Sequence, residues 1–395
     1  GRGTAGLPGV SNEIILDSDA MASPSIPLQQ PFWLLLLALL LLVPFNVLVG
    51  LGLFLSELVY LPFSLFYKKA QKLKVLDKDL ASLIILNWEG KHLLDEFLPS
   101  VVEAVKRDGR NHEIIVVDNG SHDGSVSFLE AQFPQVKVVA LSHNYRFTGG
   151  NNSGVQLAKN DIVILLNNDM QVEPGFLRPL LEAFHDETVF GVSCQVFFQD
   201  KSRRREETGN TKAQWSQGFI NPYHDEISDG QVARYLPILW AGGGSSAFDR
   251  RKFLALGGLD TLYDPFYLED VDLSYQAWKR GWKSLLAIDS VVIHKHRATN
   301  KQKFGDNYVD NTIRKNQYLF VWKNITNVRW ILEHGLFLSI NQARFMVQTN
   351  ICFEIKAYFR ALVQFPEALY KRFFWRHYFC MGDPQIFTET SKPSR

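Results

Sequence analysis

The chain has 395 residues, of which 42 are basic and 41 acidic, so its formal net charge is +1. This balance gives no whole-chain case for nucleic-acid binding, which requires a strongly basic surface. The length allows one large domain with appendages, or two domains. Cys194, Cys352 and Cys380 have no metal-ligand spacing and cannot close a disulfide framework, so we interpret them as buried or incidental thiols.

A membrane segment is predicted near the N-terminus. No charged residue occurs between Asp19 and Glu57, and the apolar run within this interval exceeds the roughly 20 residues that cross a bilayer. The run has neither the basic start nor the small-residue cleavage site of a signal peptide. We therefore assign residues 31–67 to a membrane anchor. Pro44 either kinks one long helix or divides the segment into a re-entrant hairpin.

Charges on the two sides of this anchor predict its orientation. Acidic residues precede it, and four lysines follow it: Lys68, Lys69, Lys72 and Lys74. The positive-inside rule then places the following residues in the cytoplasm, at an inner or plasma membrane. Residues 1–30 are rich in Gly, Ser and Pro without periodicity, which predicts a disordered tail or a non-native remnant.

Between residues 80 and 300 the chain alternates predicted strands and helices. The strands are short apolar runs at 81–86, 113–117, 136–141, 161–166, 236–240 and 284–293. The helices are expected at 93–105, 125–132, 149–159, 174–186 and 269–280. This order predicts an α/β fold with a mostly parallel sheet and helices on both faces. The polar segment 199–231 is predicted to be a loop, and its basic run at 201–205 either is solvated or touches an anionic lipid or acceptor phosphate.

The composition changes again in residues 301–395. Aromatic side chains alternate with Arg and Lys, and no window is both apolar enough and long enough to span a bilayer. Two interpretations remain: amphipathic helices at a membrane interface, or a helical bundle packed on the α/β domain. The predicted anchor favours the membrane interface.

Three polar clusters follow predicted strands. Asp118 can accept a hydrogen bond from the N3–H of a pyrimidine base, although Asp118-Asn119-Gly120 is also ordinary turn chemistry. Asp169 ends the run Asn167-Asn168-Asp169, where sheets of this class bind ligands. Its carboxylate suits a hard divalent cation carrying a diphosphate, or it caps the next helix. His294 ends the last strand with His296 beside it, and can supply a nitrogen ligand to the cation.

Two further clusters begin predicted helices. Gly149 and Gly150 at a helix N-terminus would present free N–H groups to an anion, or would allow close packing. Glu269, Asp270 and Asp272 lie in the first turn of another helix. They either complement the helix dipole or tune a carboxylate as a general base.

In this order, the clusters resemble those of the family-2 glycosyltransferases with the GT-A fold, particularly the bacterial rhamnosyltransferase-like branch. The resemblance covers about residues 81–320 and rests on nine stretches: 85–90, 117–125, 144–152, 166–169, 240–243, 257–260, 266–273, 292–294 and 314–318. Two departures from the family pattern occur. Its Asp-x-Asp is Asn167-Asn168-Asp169 here, and Arg146 and Thr148 replace smaller apolar residues.

The resemblance implies roles for particular residues. Asp118 would hold the nucleobase, Asp169 and His294 would bind Mg²⁺ or Mn²⁺ at the diphosphate, and Asp270, with Glu269 beside it, would deprotonate the acceptor hydroxyl. The donor would lie along a larger set of residues: Asn87, Asn144, Gly149, Gly150, Asn151, Asn168, Trp240 and Gly242.

The expected protein is an inverting, metal-dependent glycosyltransferase of the hexosyltransferase type. It would move a sugar from dTDP-rhamnose or a UDP-hexose to a glycan or lipid-linked acceptor, in contact with membrane lipids. A sugar nucleotidyltransferase would need a Gly-rich basic loop after the first strand, and residues 87–90 do not form one. A processive synthase would need several spanning helices after the catalytic domain, and these are not evident in the sequence. A non-catalytic nucleotide-sugar-binding scaffold is the non-enzyme alternative, and intact Asp169 and Asp270 argue against it.

Overall fold

The computed structural model describes residues 31–62, 77–198, 209–227, 233–295 and 304–391. Four predictions lie outside these residues: the disordered tail, the four lysines after the anchor, the basic run at 201–205, and His296.

A nine-stranded sheet, counted within the described residues, forms the centre of the α/β part. Its strands are β1 (Ala81–Asn87), β2 (Glu113–Asp118), β3 (Lys137–Ala140), β4 (Ile162–Asn167), β5 (Met170–Val172), β6 (Val189–Phe198), β9 (Tyr235–Ile238), β10 (Ser245–Asp249) and β11 (Lys283–His294). Two more strands, β7 (Thr211–Ser216) and β8 (Phe219–His224), form a separate hairpin.

The strand directions make the sheet mixed but mostly parallel. The order is β3-β2-β1-β4-β10-β6-β11-β5, with β9 paired to β11. β1 to β4 run parallel, β10 is antiparallel to both of its neighbours, and β11 is parallel to β6. This sheet, with the helices described next, confirms the predicted GT-A arrangement.

Helices cover both faces of the sheet, as predicted. The described helices are α1 (Phe32–Tyr60), α2 (Lys91–Asp108), α3 (Ser125–Gln132), α4 (Arg146–Leu157), α5 (Leu177–Ala183), α6 (Arg250–Ala255), α7 (Glu269–Lys279), α8 (Asp306–Asn324), α9 (Val328–Gln348), α10 (Ile351–Arg376) and α11 (Asp383–Thr390). α2, α3 and α5 bury apolar side chains against one face, and α4, α6 and α7 against the other.

The register of the parallel strands places the candidate residues side by side. Asn87 at the end of β1 pairs with Asp118 at the end of β2, and Leu86 pairs with Asn167 at the end of β4. The carboxyl ends of adjacent parallel strands form the edge where α/β sheets bind ligands. The sequence-predicted polar clusters after β1, β2 and β4 therefore meet at one edge.

α1 is one continuous helix that contains Pro44, so the hairpin alternative is wrong. By length and composition, it is the one helix among the described residues that could cross a membrane. Its buried residues recur every three or four positions: Ala38, Leu42, Asn46, Val49, Leu53, Glu57 and Tyr60. This stripe packs against α9 and α10.

The predicted loop at 199–231 is wrong for β7 and β8. Gln217 and Gly218 join these strands with φ values of 50° and 78°, the left-handed geometry of a two-residue hairpin turn. A Cβ at Gly218 would lie 2.5 Å from the Cα of His334 on α9. Glycine at 218 therefore allows both the left-handed turn and the close approach to α9.

Candidate functional site

Polar residues at the ends of β1, β2 and β4 form one buried hydrogen-bond network. Asn87 Nδ2 donates to Asp118 Oδ1 and to Ser125 Oγ, each at 3.0 Å. Asn168 Nδ2 donates to Asn87 Oδ1 at 2.9 Å. A Cβ at Gly90 would lie 2.3 Å from Asn168 Nδ2, so a larger residue there would displace the network. The structure thus brings together three of the predicted donor-site residues: Asn87, Asp118 and Asn168.

Asn144 connects this network to the start of α4. Its Oδ1 accepts hydrogen bonds from Asn119 Nδ2 at 3.0 Å and from the Arg146 N–H at 2.7 Å. Asn119 Oδ1 in turn accepts from the Tyr145 N–H at 2.8 Å. Asn119, whose role was not predicted, therefore ties the end of β2 to the loop before α4.

The predicted helix start at Gly149 and Gly150 is wrong, because α4 begins at Arg146. Asn144 Oδ1 accepts a hydrogen bond from the N–H of Arg146, the first residue of the helix, and the glycines three and four residues further on lie inside the helix. A Cβ at Gly150 would lie 2.4 Å from Leu86 Cδ1, so this glycine lets α4 pack closely on β1. The contact of Gly149, Gly150 and the neighbouring Asn151 with a donor stays a prediction.

Asp169 and His294 lie together at the edge of the sheet. β11 pairs with β5 next to Asp169, and His294 Nε2 lies 3.2 Å from Asp169 Oδ2. Their side chains are 8% and 11% exposed, enough to face a ligand from the edge. The sequence reasoning predicted this pair, although the two residues are 125 positions apart.

The pair fits a divalent cation whose other ligands come from a diphosphate and water. One carboxylate is the usual protein contribution to such Mg²⁺ sites, and an imidazole nitrogen is an accepted additional ligand. Among the described residues, no group of three or more His, Cys, Asp or Glu side chains could hold a metal ion. The protein therefore offers two ligands here, Asp169 and His294, and the donor would have to complete the shell.

Residues 242–244, which we call the glycine loop, join the end of β4 to the acidic turn of α7. Gly244 O accepts a hydrogen bond from the Asn167 N–H at 2.9 Å. The Gly243 N–H donates to Asp270 Oδ2 at 3.2 Å. A Cβ at Gly244 would lie 2.4 Å from Asn167 Nδ2, so the close approach requires glycine.

Trp240, just before the glycine loop, is buried. Its ring centroid lies 5.5 Å from that of His224 in β8. Its backbone N–H and carbonyl both bond the Thr211 hydroxyl of β7. Trp240 thus fixes the glycine loop to the hairpin, and its contact with a donor, like that of Gly242, stays a prediction.

The three acidic residues in the first turn of α7 have different environments. Asp272 is paired with Lys323 Nζ at 2.5 Å and accepts from Tyr263 Oη at 2.8 Å, which makes it a structural link to α8. Asp270 is partly exposed and faces the glycine loop. Glu269 is buried, and its Oε2 has no hydrogen-bond partner among the described residues.

Burial raises the pKa of both Glu269 and Asp270. The pKa of Glu269 lies well above its ordinary value, first because the side chain is desolvated and second because Asp270 is beside it. The pKa of Asp270 is also raised by burial, but backbone N–H groups of Gly243 and Val271 oppose the shift. Glu269 therefore keeps its proton longer, and Asp270 ionises first.

We expect Glu269→Gln to retain transfer activity at neutral pH, because glutamine reproduces a protonated glutamate. The folded-state pKa of Glu269 lies above its ordinary value of 4.5. Its contribution to stability is therefore complete below pH 4.5 and is lost as the pH rises through the folded-state pKa. Thermal unfolding should show the Tm of Glu269→Gln gaining on the wild type as the pH rises from 4.5 to neutral. Loss of transfer in this variant would assign the base to Glu269 instead.

Asn316 on α8 is a site residue whose role was not predicted. Tyr267 and Leu268, directly before Glu269, have φ values of 72° and 74°, which is rare for residues other than glycine. Asn316 Nδ2 lies 2.8, 3.0 and 2.8 Å from the carbonyl oxygens of Tyr263, Phe266 and Tyr267. The Arg314-Lys315-Asn316 match was the available signal, but it did not reveal that Asn316 holds the segment leading to Asp270.

We expect Asn316→Asp to lower kcat by roughly ten- to a hundredfold while the KM for the donor stays within about twofold, because the change displaces Asp270 but not the donor edge. An ionised carboxylate can only accept, so it would repel the three carbonyl oxygens. The free energy of unfolding should fall by about 1–3 kcal/mol. Steady-state kinetics and denaturant unfolding measure the two effects. A change confined to the KM for the donor would contradict a positioning role.

Comparison with known proteins agrees with this arrangement. Residues 82–253 match the family model described as glycosyl transferase family 2. The N-acetylglucosaminyl-diphospho-decaprenol L-rhamnosyltransferase of Mycobacterium tuberculosis is 24% identical over 307 residues, which cover 69% of this chain and 94% of that protein. An undecaprenyl-phosphate 4-deoxy-4-formamido-L-arabinose transferase of Aeromonas hydrophila is 32% identical over 111 residues, covering 27% of this chain and 34% of that protein.

A solved structure of GalNAc-T7 with UDP, GalNAc and Mn²⁺ is also similar to the chain. It has a TM-score of 0.49 and 16% identity, and the alignment covers 75% of this chain and 59% of that one.

The α/β fold and the family match over residues 82–253 support a glycosyltransferase. The chain resembles the rhamnosyltransferases of family 2.

Proposed function

We propose that the protein is an inverting glycosyltransferase that moves a sugar from a nucleoside-diphosphate sugar to a hydroxyl group of a lipid-linked glycan. dTDP-rhamnose is the first candidate donor and a UDP-hexose the second. The similarity to a rhamnosyltransferase named for a diphospho-decaprenol acceptor supports both the sugar and the class of acceptor.

One observation carries this proposal: the carboxylate of Asp270 and the Asp169–His294 pair converge on the same edge of the sheet. The glycine loop makes hydrogen bonds to both Asp270 and the backbone of Asn167. Asn167 is two residues before Asp169. An acceptor hydroxyl bound at Asp270 would then face the sugar of a donor whose diphosphate lies at Asp169. Single displacement requires such a base, and no covalent intermediate with the enzyme.

The residues of the chain would act as follows. Asp118, fixed by Asn87 and by the Ser121 N–H, keeps lone pairs for the nucleobase. Asp270 takes the proton of the acceptor hydroxyl. Asp169 and His294 would hold Mg²⁺ or Mn²⁺, which would supply positive charge to the leaving diphosphate.

We propose further that α1, α9 and α10 form one membrane-embedded unit. Inside it, Asn46 Nδ2 donates to Gln342 Oε1 at 2.8 Å, and Glu57 is paired with Arg372 and Arg376. Large apolar side chains are exposed on the outside of all three helices, among them Leu37, Leu40, Leu48, Leu51, Leu336, Ile340, Val347 and Val363. Polar pairs inside and apolar side chains outside are the pattern of helices in lipid. The α/β domain would then lie at the cytoplasmic face.

Transfer and membrane association are tested together. The full-length protein is purified in lipid nanodiscs and assayed with Mn²⁺ against a panel of dTDP- and UDP-sugars, with N-acetylglucosaminyl-diphospho-polyprenol as the acceptor. We expect transfer with inversion at the anomeric carbon and a rise in Tm with the preferred donor. Wild-type protein that neither hydrolyses nor transfers any nucleotide sugar would favour the scaffold alternative. Release of the protein from membranes by carbonate or high salt would contradict the embedded unit.

A further inference from the structure

The two departures in the loop at α4 contact the same carboxylate. Thr148 Oγ1 donates to Asp264 Oδ1 at 2.5 Å, and Arg146 Nη1 lies 3.6 Å from Asp264 Oδ2. Asp264 belongs to the segment that Asn316 holds and that leads to Asp270. Arg146 and Thr148 therefore join the start of α4 to the surroundings of the proposed base.

Two more cations lie on the C-terminal helices, and one of them, Lys315, contacts Asp264. Lys315 on α8 donates to the Asp264 carbonyl and to Gln364 Oε1, each at 3.1 Å. Arg360 on α10 donates to Asn311 Oδ1 at 2.8 Å. In the described part of the chain, neither Lys315 nor Arg360 has a carboxylate within the 4.0 Å of an ion pair.

Arg146, Lys315 and Arg360, which we call the cation cluster, thus lie near one another. Asp264 and Glu367 are the carboxylates near Lys315, and Glu367 is itself paired with Lys371, so positive charge is in excess. Burial lowers the pKa of Lys315 to about 8, and the positive charges of Arg360 and Arg146 act in the same direction. Arg146 and Arg360 are therefore each close enough to Lys315 to repel it. A bound anion would relieve this repulsion.

The cation cluster lies beside the apolar surface of the proposed membrane unit. Phe359, the neighbour of Arg360, packs edge-on against Phe45 of α1 with ring centroids 5.2 Å apart. Val363, one turn further along α10, is 81% exposed. An anion bound at the cluster could therefore carry an apolar chain that continues along α10 and α1.

We propose that Arg146, Lys315 and Arg360 bind the phosphate or diphosphate group of a lipid-linked acceptor, whose polyprenyl chain lies along α10 and α1. The inference rests on the proposed function, because it names the acceptor subsite of the same reaction. Guanidinium groups bind phosphate oxygens with two parallel hydrogen bonds, which suits Arg146 and Arg360. Asp264 and Asp270 lie in the same segment. The sugar hydroxyl of an acceptor whose phosphate is bound beside Asp264 would therefore lie near Asp270.

The same phosphate chemistry occurs in the donor and in anionic lipid headgroups, so the test must separate the three sources. The full-length protein in phosphatidylcholine nanodiscs is titrated with farnesyl diphosphate, farnesol, and UDP or dTDP, followed by tryptophan fluorescence. We expect Arg360→Gln to weaken farnesyl diphosphate binding by roughly tenfold or more, since it removes a charge-assisted hydrogen bond. Binding of farnesol and of the nucleotides should stay unchanged.

Two further variants complete the experiment. Lys356→Gln removes an exposed charge one turn earlier on α10 and should bind farnesyl diphosphate as the wild type does. Arg360→Lys keeps the charge and should lose less affinity than Arg360→Gln, which shows that the loss does not come from misfolding. Equal losses in Lys356→Gln and Arg360→Gln would indicate general attraction to a basic surface and overturn the proposal.

Three more outcomes are decisive. Weaker binding of UDP or dTDP in Arg360→Gln would assign the cluster to the donor and overturn the proposal. Weaker binding to phosphatidylglycerol nanodiscs, with farnesyl diphosphate binding unchanged, would assign it to lipid headgroups and overturn it as well. Wild-type protein that binds farnesyl diphosphate but hydrolyses no nucleotide sugar would contradict the proposed function and still support a phosphate site.

Discussion

Asp270→Asn is expected to lower kcat about a thousandfold while leaving donor affinity within about twofold of the wild type. General base catalysis contributes roughly 10²–10⁴-fold to such reactions, and asparagine cannot accept the proton. The shape is preserved, because the amide oxygen can still accept from the Gly243 N–H that now bonds Asp270 Oδ2. Initial rates with saturating acceptor measure kcat, and the thermal shift with donor measures binding.

Glu269→Gln is the matched control for Asp270→Asn, because it removes the neighbouring carboxylate in the same helical turn. Asp272→Asn is a second control, since it should destabilise the protein by weakening the buried pair with Lys323. If Asp270→Asn transferred sugar at the wild-type rate, the base would have to lie elsewhere.

Asp169→Asn is expected to lower kcat/KM by about a hundredfold or more and to abolish stimulation by Mn²⁺. His294 then remains as the one proposed protein ligand, because Asn167 and Asn168 carry no carboxylate. Stabilisation of a developing charge by a metal ion is worth several kcal/mol, and each 1.4 kcal/mol is about tenfold in rate. Rates measured over a Mn²⁺ titration, with and without a chelator, test this prediction.

Asn167→Asp is the informative companion to Asp169→Asn. It restores the Asp-x-Asp of the family pattern and should lower the Mn²⁺ concentration needed for half-maximal activity. The backbone hydrogen bond from residue 167 to the Gly244 carbonyl does not depend on whether the side chain is Asn or Asp. A wild-type rate in Asp169→Asn, independent of Mn²⁺, would remove the metal from the proposed function.

The ligand-binding edge of the sheet could be predicted because the local amino-acid composition indicates both the strands and the polar residues at their ends. β1, β2 and β4 are apolar runs buried on both faces, and each ends at a polar residue of the candidate site. β10 was not predicted, because Ser245-Ser-Ala-Phe-Asp249 has a polar composition and becomes a strand only by lying antiparallel between β4 and β6. Its stability comes from neighbours that are distant in sequence, which local patterns do not report.

The contacts that orient the proposed base could not be predicted for a related reason. Asn316 bonds three backbone carbonyls about fifty residues away, and a backbone carbonyl leaves no trace in residue identity. The start of α4 was misplaced because glycine is a weak indicator of a helix start, whereas the hydrogen bond from the Arg146 N–H to Asn144 depends on three-dimensional geometry. Asp264 likewise gains its neighbours Arg146, Thr148 and Lys315 only in the folded chain.

The packing of α1 against α9 and α10 has a consequence for the order of events during synthesis. α1 leaves the ribosome first, whereas Gln342 and Arg372 follow 296 and 315 residues after their partners Asn46 and Glu57. If α1 lies in the membrane as proposed, it carries an amide and a carboxylate that are costly to leave unpaired in lipid until the last helices are made. A chain that stopped short of α10 would leave Glu57 without Arg372 and Arg376, so the packing of α1 depends on the end of the chain.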